Sequence, residues 1–392
     1  MLTPRPESRI ELSLSALRRN LRFVRDLAGR AVEEYAVIKG NAYGHGIESF
    51  VPMLEQCGVK RLATSSAHEA YRARQAYRGA VEIMVMYSIT DDELAWAIEH
   101  GISFWVYTQP KLAHALRLAE RIGRPARIHL ELETGLHRHG LQGVELDGAV
   151  DLLLQSPGTF ELEGLCTHFA GAESVANDVR VHAQRDRLQQ LVLALGQRGI
   201  RPQRVHAACS AAMLRFPETI ADAIRPGIAL YGFWPSRETE MSWLLQHSDP
   251  EQAKPPANPL RRVMRWSSDL LAVNDVPAGS FVGYGTSYQA QRDSRIATVP
   301  VGYAHGYPRA LSNRGHMLVR GRRAPVVGLV NMNLCMLDVT DIPGAQTGDE
   351  AVIIGRQGRR AISVASFAEM TQDLNYEVLL RLAADIPRTV TR

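Results

Sequence analysis

The chain has 392 residues, 45% hydrophobic and 22% charged, with a formal net charge of +4, which suits two globular domains with sizeable cores. Its basic residues are scattered without interleaved aromatics and its four cysteines show no CxxC or CxxH spacing, so nucleic acid, a disulfide framework and a metal site are not expected. The N-terminus MLTPRPESRIELS has no apolar core and no run approaches the roughly 18 apolar residues of a membrane span, so a cytoplasmic protein with no membrane contact is expected.

In chain order, a short strand is expected at 8–12. A helix follows, capped by Ser13 or Ser15, with Leu17, Leu21, Val24 and Leu27 at 3.6-residue spacing. Residues 13–235 then alternate helical patterns with eight β-prone runs, near 35–39, 61–66, 81–88, 103–108, 126–132, 160–167, 204–208 and 222–226. That count and length predict an eight-stranded TIM-type α/β barrel. A doubly wound sheet would more often carry GxGxxG after its first strand, and none is there. The stretch 236–259 is polar and Pro-rich, and reads as a linker or surface loop. Residues 260–392 change to short β runs punctuated by Gly, Asn and Pro, with one helix near 363–372. They predict a mostly-β domain that the 8–12 strand joins.

Catalytic groups of such barrels lie at the carboxyl ends of the strands. Lys39 ends the first run, Arg138 lies past the fifth, and His168, Ser210 and Arg225 follow the sixth, seventh and eighth. Each alone has an ordinary reading as a surface lysine, a hydrogen-bonded core histidine or a turn. Together they converge on one mouth. A lysine there can form a Schiff base. Gly-rich GNAYGHG and PGIALYG offer backbone N–H groups for a phosphate. A phosphorylated carbonyl cofactor, pyridoxal phosphate, fits both.

The runs AVIKGNAYGHG, THFA, HAACSAA, RPGIALYG, VGYGTSY, VPVGYAHGYPR and VGLVNMNLCMLDVT occur in order over nearly the whole chain. In them the sequence resembles the alanine racemase family, the fold-type III pyridoxal-phosphate racemases. The resemblance implies an isomerase for an amino-acid substrate, D-alanine biosynthesis as its setting, and a homodimer with shared active sites. Lys39 would hold the cofactor, with Tyr43, Ser210, Gly227 and Ile228 at its phosphate and Arg225 at its pyridine nitrogen. Tyr284, from the partner chain, would be the second acid/base. His168 would lie between Tyr284 and Arg225. Arg138 and the backbone at Met332 would receive the substrate carboxylate, and Tyr303 would line the entrance.

Racemisation needs a proton removed from one face of Cα and one delivered to the other, which two bases on opposite faces provide. An arginine at the pyridine nitrogen gives up no proton, so it leaves that nitrogen neutral and the ring a weaker electron sink, favouring racemisation over transamination. Four positions depart from the family pattern. Glu131 stands where many members carry a carbamylated lysine, and its carboxylate can orient Arg138 directly. Asn333 replaces an aspartate, His305 another aspartate, and Ala384 a tyrosine. These leave a serine or broad-specificity racemase as one alternative; apart from them, a non-catalytic pyridoxal-phosphate-binding protein is an alternative of a different class.

Overall fold

A computed structural model describes residues 6–248 and 256–392. The chain divides into two compact units, one of residues 16–39 and 51–261, the other of residues 1–15, 40–50 and 262–392.

The first unit is built on a parallel sheet that closes on itself. Its strands run Arg61–Ser66, Glu82–Ser88, Ser103–Val106, Ala126–Glu131, Phe160–Cys166, Arg204–Cys209 and Ala223–Arg225, each paired in parallel with the next. The remaining barrel strand, first of the eight in the chain, is interrupted. Glu33–Glu34 pairs with Ala223–Arg225 on one side, and Ala36–Val37 pairs with Arg61–Ser66 on the other. Between them Tyr35 is fully buried and donates its N–H to the Ile224 carbonyl at 2.9 Å. The two short pieces are therefore one staggered strand, and they complete the expected eight-stranded TIM-type α/β barrel.

Helices cover the barrel because each strand is followed by an amphipathic run. Leu14–Ala28 buries Leu17, Leu21 and Val24 on one face, as its spacing predicts. Ser66 caps Ala67–Ala76 by accepting the N–H of Glu69, and Thr90 opens Asp91–Glu99 with a capping box. The segment expected as a linker, 236–259, differs from that reading. It begins with a helix, Arg237–His247, capped by Ser236 and anchored by buried Trp243, which stacks on His247 at 4.3 Å. One buried aromatic, not an apolar stripe, supports this helix, so periodicity did not reveal it. Residues 249–255 of that expected linker lie outside the described ones.

The second unit is a ten-stranded, mostly antiparallel sheet. Its order is Ala272–Val276, Ser294–Val299, Cys335–Asp338, Arg322–Val327, His316–Val319, Glu350–Gln357, Met264–Asp269, Ser8–Ser13 and Arg388–Thr391, with Arg360–Ile362 pairing on Glu350–Gln357. The N-terminal strand Ser8–Ser13 sits inside this sheet, antiparallel to Met264–Asp269 and parallel to Arg388–Thr391. Trp266, Met317, Leu318, Val352 and Ile353 fill the core. Besides Val364–Thr371, a second helix, Asn375–Leu380, follows it.

Candidate active site

Lys39 follows the first barrel strand, and its Nζ lies 5.2 Å from the centre of the Tyr87 ring. Directly after it the backbone turns left-handed through Gly40, Asn41, Ala42 and Tyr43, with φ between 50° and 62°. Three of these residues carry a Cβ, for which this conformation costs roughly 1–2 kcal/mol each. Gly44 continues it at φ 76°, where a Cβ would stand 2.0 Å from the Leu379 carbonyl oxygen. Arg388 donates from Nη2 to the Gly44 carbonyl at 3.1 Å and from Nη1 to the Ala383 and Ala384 carbonyls. The glycines of this motif thus serve a strained turn and a close backbone approach. Tyr43 is buried, its ring 5.9 Å from that of Tyr376.

Arg225 ends the last barrel strand and is buried. Nη1 donates to the His206 carbonyl at 2.8 Å and to Nδ1 of His206. Nη2 donates to the carbonyls of Thr167 at 2.6 Å and Ala207 at 3.0 Å. No carboxylate is among these acceptors. Because Nδ1 of His206 accepts, its ring proton sits on Nε2, 2.9 Å from Nδ1 of His129. His129 Nε2 in turn faces Glu163 Oε2 at 3.3 Å, and Glu163 pairs with Arg127. Burial lowers both imidazoles, keeping them neutral donors and acceptors. Burial would raise Glu163, but His129 and Arg127 outweigh it and hold the carboxyl down at about 2. Room for the imidazole pair comes from Gly164, where a Cβ would lie 2.2 Å from His129 Nδ1.

Sequence reasoning singled out none of His206, His129 or Glu163. They lie within strands, not at their ends, and their inward register emerges only when the barrel closes. His168 was expected between Arg225 and Tyr284. The hydrogen bonds of Arg225 among the described residues go to His206 and main-chain carbonyls. His168 is pushed down to about 3 by burial first, then by the charges of Arg225, Arg138, Lys39 and His139. It is a neutral imidazole near the charges of Arg225, Arg138 and Lys39.

Ser210 is buried, and its Oγ accepts the N–H groups of Gly227 at 2.9 Å and Ala229 at 3.3 Å. The seventh and eighth strand ends are thereby tied together. The Gly227 N–H expected at the phosphate donates to Ser210 Oγ in this structure. Glu131 ends its strand almost fully buried, and burial pushes its carboxyl up. Its nearest partner is His139, through Nδ1, while Arg138 Nη2 lies 4.0 Å away. Arg138 was expected to meet Glu131 directly. The imidazole of His139, which the sequence reading passed over, lies between them.

In the sheet unit, Tyr284 is 72% exposed and Met332 57% exposed, with Tyr303, Phe281 and Leu334 also open. Tyr303 and Met332 are neighbours: the Tyr303 N–H donates to the Asn331 carbonyl and the Ala304 N–H to that of Met332. Gly302 permits this, since a Cβ there would meet the Asn331 oxygen at 2.1 Å. Asn333 sits exposed in the turn that the Asn331–Leu334 hydrogen bond closes, and His305 Nδ1 accepts the Gly302 N–H at 3.2 Å.

The donor set at the mouth fits pyridoxal phosphate: an amine, a serine hydroxyl tying two strand-end loops, and a buried guanidinium with no acid partner among the described residues. The barrel, these groups and the separate β-sheet unit define the class, the barrel-and-sheet amino-acid racemases. Comparison with known proteins narrows it. The family model for the alanine racemase N-terminal domain matches residues 12–235, and that for the C-terminal domain matches residues 263–390. Alanine racemase of Halothermothrix orenii is 35% identical over 378 residues, 96% of this chain and 95% of that protein. The alanine racemase structure from D-cycloserine-producing Streptomyces lavendulae superposes with a TM-score of 0.88 at 31% identity, covering 100% of this chain and 98% of that one. That of Bacillus anthracis with bound L-Ala-P does so with a TM-score of 0.88 at 30% identity, covering 100% and 96%. The chain belongs to the alanine racemase family.

Proposed function

We propose that this enzyme interconverts L- and D-alanine in the cytoplasm, with pyridoxal phosphate bound at Lys39 and proton transfer shared between Lys39 and Tyr284 of the partner subunit. The observation that carries the reading is buried Arg225, held by an imidazole and three carbonyls with no carboxylate among these acceptors, a cation that would face the pyridine nitrogen of a bound cofactor. When bound, the cofactor delocalises the charge left on Cα by proton loss. Arg225 gives up no proton, so it keeps that delocalisation moderate and favours return of the proton. Ser210, with Tyr43, Gly227 and Ile228, holds the phosphate. Because Gly227 N–H already serves Ser210 Oγ, the serine O–H is left to donate to a phosphate oxygen.

Lys39 Nζ takes or returns the proton on one face of Cα. Tyr284 Oη serves the other face, with neutral His168 near it. Arg138 and the Met332 backbone bind the substrate carboxylate, Tyr303 lines the entrance, and Asn333 borders it. The exposure of Tyr284, Phe281, Tyr303 and Met332 supports a homodimer in which the partner covers this face. Among the described residues no helix is long and apolar enough to cross a membrane. The L-Ala-P bound to the Bacillus anthracis relative supports alanine as substrate.

The test is incubation of holoenzyme with a panel of L-amino acids in heavy water, read by NMR for α-proton exchange and by chiral chromatography for product. D-Alanine carrying deuterium at Cα is expected. Faster exchange of serine than of alanine would move the assignment to a serine or broad-specificity racemase. Exchange with no amino acid would overturn it in favour of a non-catalytic binding protein.

A further inference from the structure

We infer that His139 is the positioning residue of the substrate-carboxylate site, a neutral imidazole bridging buried Glu131 to Arg138 so that the guanidinium presents its two terminal nitrogens outward. The inference rests on the reading of Arg138 as the carboxylate receiver. It begins with atoms. Arg138 Nε donates to His139 Nε2 at 3.0 Å, so Nε2 carries the lone pair and the ring proton sits on Nδ1. Nδ1 meets Glu131 Oε2, and neither of these buried atoms has another hydrogen-bond partner among the described residues. The order is therefore carboxylate, imidazole N–H, imidazole lone pair, guanidinium N–H.

Direct orientation of Arg138 by Glu131 is too long to work. At 4.0 Å the Nη2–Oε1 pair lies beyond hydrogen-bond range. His139 spans that gap and uses only Nε. Among the described residues neither terminal nitrogen makes a hydrogen bond, which is what bidentate binding of a carboxylate requires. The bridge is itself fixed. Its ring lies 4.8 Å from that of Tyr107 and 5.8 Å from that of Tyr87, and the Arg138 guanidinium sits 4.9 Å over the same Tyr87. The loop that carries it returns to its own strand, because the Leu141 N–H donates to the Glu131 carbonyl at 2.8 Å. A short glutamate thus does through an imidazole what a longer anionic side chain could do by contact.

The experiment uses holoenzyme and propionate, a carboxylate with no amino group, as competitive probe. Four variants are compared: Arg138→Lys, His139→Leu, His139→Gln and His139→Phe. His139→Leu is expected to raise the propionate inhibition constant and the KM for alanine by about tenfold, the loss of one hydrogen bond to a charged group, with kcat within twofold and the cofactor absorbance unchanged. His139→Gln keeps a donor and an acceptor and is expected to fall nearer the parent. His139→Phe retains the ring stack without either nitrogen and makes the same cut should His139→Leu not fold. If Arg138→Lys weakens propionate and the two apolar variants do not, the bridge is overturned and the role of Arg138 stands. If Arg138→Lys also leaves propionate binding unchanged, the carboxylate assignment itself fails. A fall in kcat or a shifted cofactor spectrum without a change in KM would show a merely structural histidine.

Discussion

Glu163 keeps its charge inside the barrel because His129 and Arg127 face it, and this has a measurable signature. Its folded pKa, about 2, lies below the ordinary 4.5. Stability from this group is therefore complete above about pH 4.5 and lost as pH falls through the interval toward 2. Glu163→Gln leaves the partly exposed Arg127 with Glu161 and the Gly101 carbonyl, a cost of about 1–3 kcal/mol at neutral pH for the lost charged hydrogen bonds. Denaturant unfolding at pH 7 and near pH 3 checks it: the gap between parent and variant is expected to shrink at the lower pH, and an equal gap at both contradicts the assignment. The polar residues at strand ends were legible in the sequence because barrel geometry names those places in advance. His206, His129 and His139 were not. Two lie mid-strand and one next to an arginine that drew the reading first, and only tertiary register or loop return gives each its role.

The elements were legible in unequal measure. All eight barrel strands fall within or beside their expected runs, because β-branched and apolar residues bounded by turn residues signal them well. Barrel closure was half legible. The expected run at 35–39 covers Ala36–Val37, while the polar pair Glu33–Glu34 carries no strand signal and is drawn in by pairing with Ala223–Arg225. The turn after Lys39 is the element where sequence and physics agree most closely, since its glycines meet positive φ and a close carbonyl. Gly44→Ala brings both penalties together. Its expected cost is roughly 1–3 kcal/mol, read as a lower Tm of the holoenzyme, with weaker retention of cofactor because Tyr43 is adjacent. A Tm equal to the parent's would show that the Leu379 segment moves aside freely.

At the scale of the whole molecule, the proposed dimer predicts complementation. Lys39→Ala and Tyr284→Phe homodimers are each expected to be nearly inactive. Mixed one to one and allowed to exchange subunits, about half the dimers become hybrids. One site in each hybrid has both residues intact, so about a quarter of parental activity is expected. No recovery, with exchange shown by mass spectrometry, would place Lys39 and Tyr284 of the same chain in one site. The central claim is that protons reach Cα from two sides by way of these two residues. Its most direct test is Tyr284→Phe in heavy water, starting separately from L- and D-alanine. Racemisation is predicted to fall by roughly a hundredfold or more, while α-proton exchange persists for one enantiomer alone. Small and equal losses for both enantiomers would contradict it.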